Sequence, residues 1–202
     1  MASNAFTVLH KQLTDLQVAI ARLDATVTAT APASAETLVA YEGLFIRLIV
    51  ALESYLESFM GELLDGTFNS AMPGFKRIVT FHDTATREAA LLHGRDYIDW
   101  LPYARTVEVA KLYLKDGVPF SQAKPAHFGD VKKMVRIRHA IAHSSPHAKR
   151  LFDEKVIGNA KLPADELSPA GYLIGAANSN PRTSRLANFL AQVMDLARTI
   201  DA

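Results

Sequence analysis

The stretch ETLVAYEGLFIRLIVALESYLESFMGELL, residues 36–64, decides how this chain folds. Leu38, Tyr41, Phe45, Leu48, Ile49, Leu52, Leu56, Phe59 and Leu63 recur at helical spacing, which gathers apolar side chains on one face. At 1.5 Å per residue the helix is about 40 Å long, long enough to be the spine of a bundle. It is not a membrane span, because Glu42, Arg47, Glu53, Glu57 and Glu62 punctuate it. Ser34 is placed to cap its start, and Asp65-Gly66 ends it.

The segments on either side are also helical in pattern. Phe6, Leu9, Leu13, Leu16, Ile20, Leu23 and Val27 alternate steps of three and four, a narrow seam of the coiled-coil kind. The seam runs out in Thr28-Ala29-Thr30-Ala31-Pro32-Ala33-Ser34, a linker. Beyond the spine, Met72-Pro73-Gly74 reads as a turn, Phe75–Phe81 as a short strand or irregular chain, and Thr84–His93 as a short helix. Further helices are expected over Leu101–Lys115, Pro125–His143 and His147–Ile157. Leu162–Ser179 reads as loop. A final helix is expected with Asn180 as its cap and Pro181 at its first position. The expectation is an all-α bundle of four to five main helices with short extras. It forms a single domain over residues 1–202: an N-terminal helix in 1–30, a core in 36–145, and an extension with a closing helix in 146–202.

Composition narrows the function classes. A chain of 202 residues can bury a full core without staples, and it has no cysteine. Disulfide frameworks, thiolate zinc sites and thiol catalysis are excluded. Without cysteine, a reducing, cytoplasmic compartment is expected, and the opening MASNAFTVLHKQL, with no basic segment followed by an apolar one, does not read as a secretory signal. The net charge of +1 conceals an asymmetry. Residues 124–150 hold seven basic side chains against the one acid Asp130, while the remaining 15 basic and 20 acidic residues leave the body mildly acidic. Such a local positive field fits a polyanionic partner, or simply a solvated basic helix face.

The chemistry concentrates in Arg138-His139-Ala140-Ile141-Ala142-His143. On a helical wheel Val131, Met134, Val135, Ile141 and Ala142 share an apolar arc, and Arg138 falls in its middle. An arginine so placed needs a carboxylate or a cleft, and Glu53 and Glu57 of the spine are the candidate partners. The alternative is a purely structural ion pair. Lys132, Arg136, His139 and His143 form a second stripe beside the arc, with the two histidines one turn apart. His143 closes the helix before Ser144-Ser145-Pro146, where the helix dipole favours a protonated imidazole. The alternative there is two surface histidines. On an ideal helix Arg138 and His143 diverge by about 140°, so one phosphate meets both only if the helix end unwinds or a second chain contributes. His139, His143 and His147 follow H-x3-H-x3-H. Pro146 breaks that spacing and no carboxylate or cysteine joins it, so no metal or cofactor is assigned.

This run resembles the R-x(4–6)-H motif of the HEPN superfamily, in which the residue after the arginine is usually polar. The order of a long helix bearing Ala51-Leu52-Glu53-Ser54-Tyr55-Leu56-Glu57, then Val118-Pro119-Phe120, then a basic helix ending in the motif is most similar to the RiboL-PSP type. The resemblance covers roughly Leu38–Ser145. It implies an α-helical homodimer with the motif lining a shared cleft. It further implies a metal-independent endoribonuclease of toxin–antitoxin, phage-defence or RNA-processing systems, with an antitoxin protein as a further partner. Arg138 would hold the scissile phosphate, His143 would move a proton at the 2′-hydroxyl or the leaving oxygen, and His139 would help orient them. Glu53 would orient Arg138, and Lys132, Lys133 and Arg136 would add salt-sensitive RNA contacts. Two other readings stand beside it. One is a non-catalytic HEPN-like module that binds nucleotides or proteins. The other is an unrelated helical interaction protein using the Phe6–Val27 seam as its partner surface.

Overall fold

The computed structural model describes residues 2–27, 33–143, 145–179 and 182–201. It is an all-α helical bundle: α1 (Asn4–Asp24), α2 (Ala35–Asp65), α3 (Thr84–Leu92), α4 (Tyr103–Tyr113), α5 (Pro125–Ala142), α6 (Pro146–Phe152), α7 (Pro169–Ile174) and α8 (Arg185–Ile200). Among the described residues the strands are a short antiparallel ribbon, β1 (Ala176–Ser179) with β2 (Arg182–Ser184). No helix of the described residues is long and apolar enough to cross a membrane. The chain forms two compact units. One comprises Met1–Lys11, Leu52–Lys132 and Met194–Ala202, the other Gln12–Ala51 and Lys133–Val193. Helices α1, α2, α5 and α8 supply residues to both.

The first unit is built around aromatic side chains of α2. Phe59 is fully buried and packs edge-on against Phe120 at 5.4 Å, stacks with Tyr55 at 5.5 Å and meets Phe68 at 5.7 Å. Such ring pairs add directional attraction to the burial of their area. Tyr103 is buried as well, and its hydroxyl donates to the Phe120 carbonyl at 2.9 Å, which keeps a buried polar atom satisfied. The start of α1 is held by two carboxylates. Glu62 accepts the amides of Asn4 (3.0 Å) and Ala5 (2.7 Å), and Asp201 accepts the amide of Ser3 (3.1 Å) and its hydroxyl. Free amides at a helix N-terminus favour negative charge, so both contacts stabilise that end. A further tie joins α5 to α8. His127 is 3% exposed and accepts the Lys124 amide at Nδ1, so its Nε2 carries the proton and donates to Asp195 at 2.9 Å. Lys124 Nζ reaches the same carboxylate at 2.8 Å, and these two bonds hold Asp195 below the usual carboxylate range. No charge pattern in the sequence announced this cluster, because its members lie about 70 residues apart.

In the second unit the seam of α1 is buried, as are the inner positions of α2 and α8. Leu13, Leu16 and Ile20 are buried with Tyr41, Phe45, Leu48, Ile49, Leu186, Phe189 and Val193. Leu9 of the seam is buried in the first unit. The seam therefore packs within the chain, which removes it as an open partner surface. Tyr41 donates its hydroxyl to Asp24, and burial followed by that carboxylate pushes the phenol well up from its ordinary value.

Three expectations need correction. Leu162–Ser179 is not a loop. It contains α7, whose Ala170, Gly171, Tyr172, Leu173 and Ile174 are all buried, and then β1. Six residues are too few for a readable helical period. Its start signal, Ser168-Pro169, was nevertheless visible, since Ser168 Oγ accepts the Gly171 amide at 3.0 Å. The last helix does not begin at Asn180-Pro181, which lie outside the described residues. It begins at Arg185, with Ser184 Oγ accepting the Ala187 amide at 3.2 Å. Residues 28–32 of the linker also lie outside the described residues, whereas Ser34 caps α2 as expected, taking the Thr37 amide at 3.2 Å. The third is the apolar arc of α5, whose buried face is turned away from the expected one.

Helix α7 is seated by contacts that tolerate no added carbon. A Cβ on Gly171 would lie 1.8 Å from the backbone oxygen of Asp165. Beside it, Arg185 bonds Glu166 at 2.6 Å and the Tyr172 carbonyl at 3.0 Å, and its guanidinium lies 4.5 Å above the Tyr172 ring. Gly171→Ala is therefore expected to cost about 1–3 kcal/mol, the usual penalty of overpacking. Urea unfolding measures this, and an unchanged midpoint would show that the Asp165–Gly171 approach is not constraining.

Candidate active site on the end of helix α5

Helix α5 carries the whole Arg138–His143 run except its last residue. Val131, Met134 and Ile137 are buried at 2%, 1% and 0% exposure, and they anchor the inward face. The expected arc is only partly right. Val131 and Met134 are buried, Val135 and Ile141 are half-buried, Ala142 is exposed, and Ile137, left out of the arc, is the most buried of all. The buried face is turned toward Ile137 and fades over the last turn, where the helix emerges into solvent. Arg138 is accordingly half-buried rather than sunk in a closed core.

The end of the helix is well defined. Ala142 is its last residue, and the His143 amide still donates to the His139 carbonyl at 2.9 Å. Ser145 then opens α6, its Oγ accepting the Ala148 amide at 3.2 Å with Pro146 in the first turn. A capped helix starting two residues on leaves α5 no room to extend, and His143 is held at the terminus.

This geometry brings His139 and His143 together. Their ring centroids are 5.9 Å apart and the planes meet at 68°, edge to face, with both side chains exposed. Burial of part of its ring, the Arg138 guanidinium and His143, in that order, lower the pKa of His139. Burial penalises the charged imidazole itself, and the two neighbours penalise a positive charge placed beside them. His139 is therefore biased toward the neutral form.

The other predicted residues are placed as follows. Arg136 is half-buried on α5 and Lys132 is exposed. Lys133 is half-buried with its ammonium 5.3 Å above the ring of Tyr172, a cation–π contact that engages it in packing. The sequence reading missed that role because it took the Tyr172 segment for loop. Glu53 is half-buried on the part of α2 that belongs to the first unit, Arg138 belongs to the second, and Glu57 is exposed. His147 does not join the other two histidines. Its Nδ1 lies 3.1 Å from Arg150 Nη2, and among the described residues no three His, Asp or Glu side chains are grouped to hold a metal ion.

The electrostatics of the pair can be read directly. His139 is expected to titrate below the ordinary histidine value. Replacing Arg138 with Gln, or to a smaller degree His143 with Ala, is expected to raise its midpoint, since either change removes positive charge. NMR titration of the imidazole resonances measures this. A midpoint at or above the ordinary value in the wild type would contradict the geometry.

Comparison with protein-family models, curated proteins and solved structures found no match to this chain.

Proposed function

We propose that this chain is a metal-independent endoribonuclease of the HEPN type, cleaving RNA through attack of its own 2′-hydroxyl. The observation that carries the reading is the exposed His139–His143 pair, held edge to face on the turn that follows Arg138. RNA supplies its own nucleophile. Cleavage then requires a group to take the 2′-hydroxyl proton, a group to protonate the leaving 5′-oxygen, and a cation for the charge that grows on the phosphate. The His143 of one motif takes the 2′-hydroxyl proton, the His143 of the second motif in the dimer gives a proton to the leaving 5′-oxygen, and Arg138 serves the charge. His139 completes the polar position and orients the reacting oxygens. The 2′-oxygen bonds to phosphorus as the P–O5′ bond breaks, leaving a 2′,3′-cyclic phosphate and a free 5′-hydroxyl.

The basic side chains of Lys132 and Arg136 add sequence-independent attraction for the backbone, which weakens with salt. Arg138 and His143 diverge on one helix, so the reading includes a homodimer in which two motifs share a cleft. A toxin–antitoxin or phage-defence setting, with an antitoxin protein as partner, follows from the same resemblance, as does the orienting role of Glu53. The competing reading is a non-catalytic nucleotide- or protein-binding module with the same motif.

The test is cleavage of total cellular RNA in EDTA at low salt by wild type, Arg138→Ala and His143→Ala, with folding and oligomeric state checked by circular dichroism and light scattering. Loss of a proton-transfer group is expected to slow cleavage by about 10²- to 10⁴-fold. Variants that cut as fast as wild type, or a folded wild type that leaves RNA intact, would favour the binding module instead.

A further inference from the structure

A second site lies in the first unit, built from the N-terminus of α1, the loop after α2 and the end of α8. It is a cavity of about 550 Å³ lined by Phe6, Phe68, Asn69, Arg198 and Asp201, with Thr67 and two alanines at its edge. That volume falls within the range of small-molecule sites. Its lining combines four kinds of contact that few ligands satisfy together.

Two walls are aromatic. Phe6 and Phe68 are both half-buried, so each leaves part of a ring to a ligand. Phe68 is backed by Phe59 at 5.7 Å, which fixes its position. The loop is shaped in advance. Gly66 turns it with a φ of +77°, a conformation that glycine adopts without strain. The Arg77 guanidinium then ties it down, donating to the carbonyls of Leu63 and Phe68 and to Asn69 Oδ1. Arginine only donates, so Asn69 must face it with its oxygen. The amide NH2 of Asn69 is thereby left as a donor in the cavity lining.

The remaining two groups are charged. Asp201 is 7% exposed and already accepts from Ser3 on both oxygens, through its amide and hydroxyl, and of the about four acceptor positions of a carboxylate those left over are what it offers to further N–H donors. Arg198 stands three residues earlier on α8, is exposed, and offers a planar donor set matched to phosphate.

We infer that this cavity binds a guanine nucleotide. The base stacks on Phe6 and Phe68, Asn69 donates to an acceptor on one edge, Asp201 accepts the N–H donors of the other, and Arg198 takes the phosphate. A simple anion uses only Arg198 and is disfavoured by Asp201. A purely apolar ligand leaves Asp201, Asn69 and Arg198 unanswered. The inference does not depend on the ribonuclease reading, since no residue of the Arg138–His143 run lines the cavity.

The experiment is titration of the full chain with GMP and, separately, with ribose 5-phosphate, followed by isothermal calorimetry and by NMR shifts of the Asn69 side-chain amide. GMP is expected to bind and move the Asn69 signals, and ribose 5-phosphate to bind at least about tenfold more weakly, the scale of one lost base stack. Phe6→Ala and Arg198→Ala are each expected to weaken GMP by about tenfold. Arg198 is exposed, so its variant keeps the test valid if Phe6→Ala disturbs folding. No GMP binding, equal binding of ribose 5-phosphate, or an affinity unchanged by Arg198→Ala would each overturn the inference. RNA cleavage by the same protein bears on the other site alone.

Discussion

Burial along one helix sets the terms for everything else in this protein. Over its 31 residues α2 holds Tyr41, Phe45, Leu48, Ile49, Leu52, Leu56, Phe59, Met60, Leu63 and Leu64 at 0% exposure. Each large apolar side chain withdrawn from water contributes about 1.5–3 kcal/mol against the entropy of ordering the chain. Helix α2 serves both units, with Tyr41 to Ile49 in one and Leu52 to Leu64 in the other. The remaining helices are positioned by what they bury in their own unit. The seam of α1, the Val131–Met134–Ile137 edge of α5 and the inner face of α8 are each buried in this way. Polar groups drawn in with them are answered locally, as with Tyr103 on a carbonyl and His127 on Asp195.

The candidate active site follows from where that burial stops. Helix α5 is anchored over Val131 to Ile137 and then emerges, leaving its last turn partly in solvent. A turn with a rigid root and an open end can present charged groups without the full cost of burying them. Arg138 and His139 sit on that turn, and His143 stops it. Burial of part of its ring, and then the guanidinium and the second imidazole near it, discourage a proton on His139.

The long periodic elements were legible in the sequence, because their burial repeats with the helical period: α1, α2, α4 and α5 lie within a few residues of their expected bounds. Short or long-range features were not. Helix α7 has too few residues to show a period, and the ribbon before α8 hid the true start of that helix at Ser184. The wheel of α5 centred its arc on Arg138, so it enlisted exposed Ala142 and left out Ile137 on the arc's flank, which the fold buries completely. The pairing of His139 with His143 was readable from a spacing of four. Placements such as Lys133 over Tyr172, or Asn69 and Arg198 lining one cavity, bring together residues far apart in the chain, and no local pattern encodes them.

The central claim is that cleavage uses the RNA's own 2′-hydroxyl beside Arg138 and His143. It is tested most directly with an RNA oligonucleotide cut by the wild-type protein and with the same oligonucleotide bearing a single 2′-deoxy nucleotide at the scissile position. Loss of cleavage at that position alone, with a 2′,3′-cyclic phosphate on the product of the unmodified RNA, is the predicted result. Equal cleavage of both would contradict the account, because another nucleophile would then have to be at work.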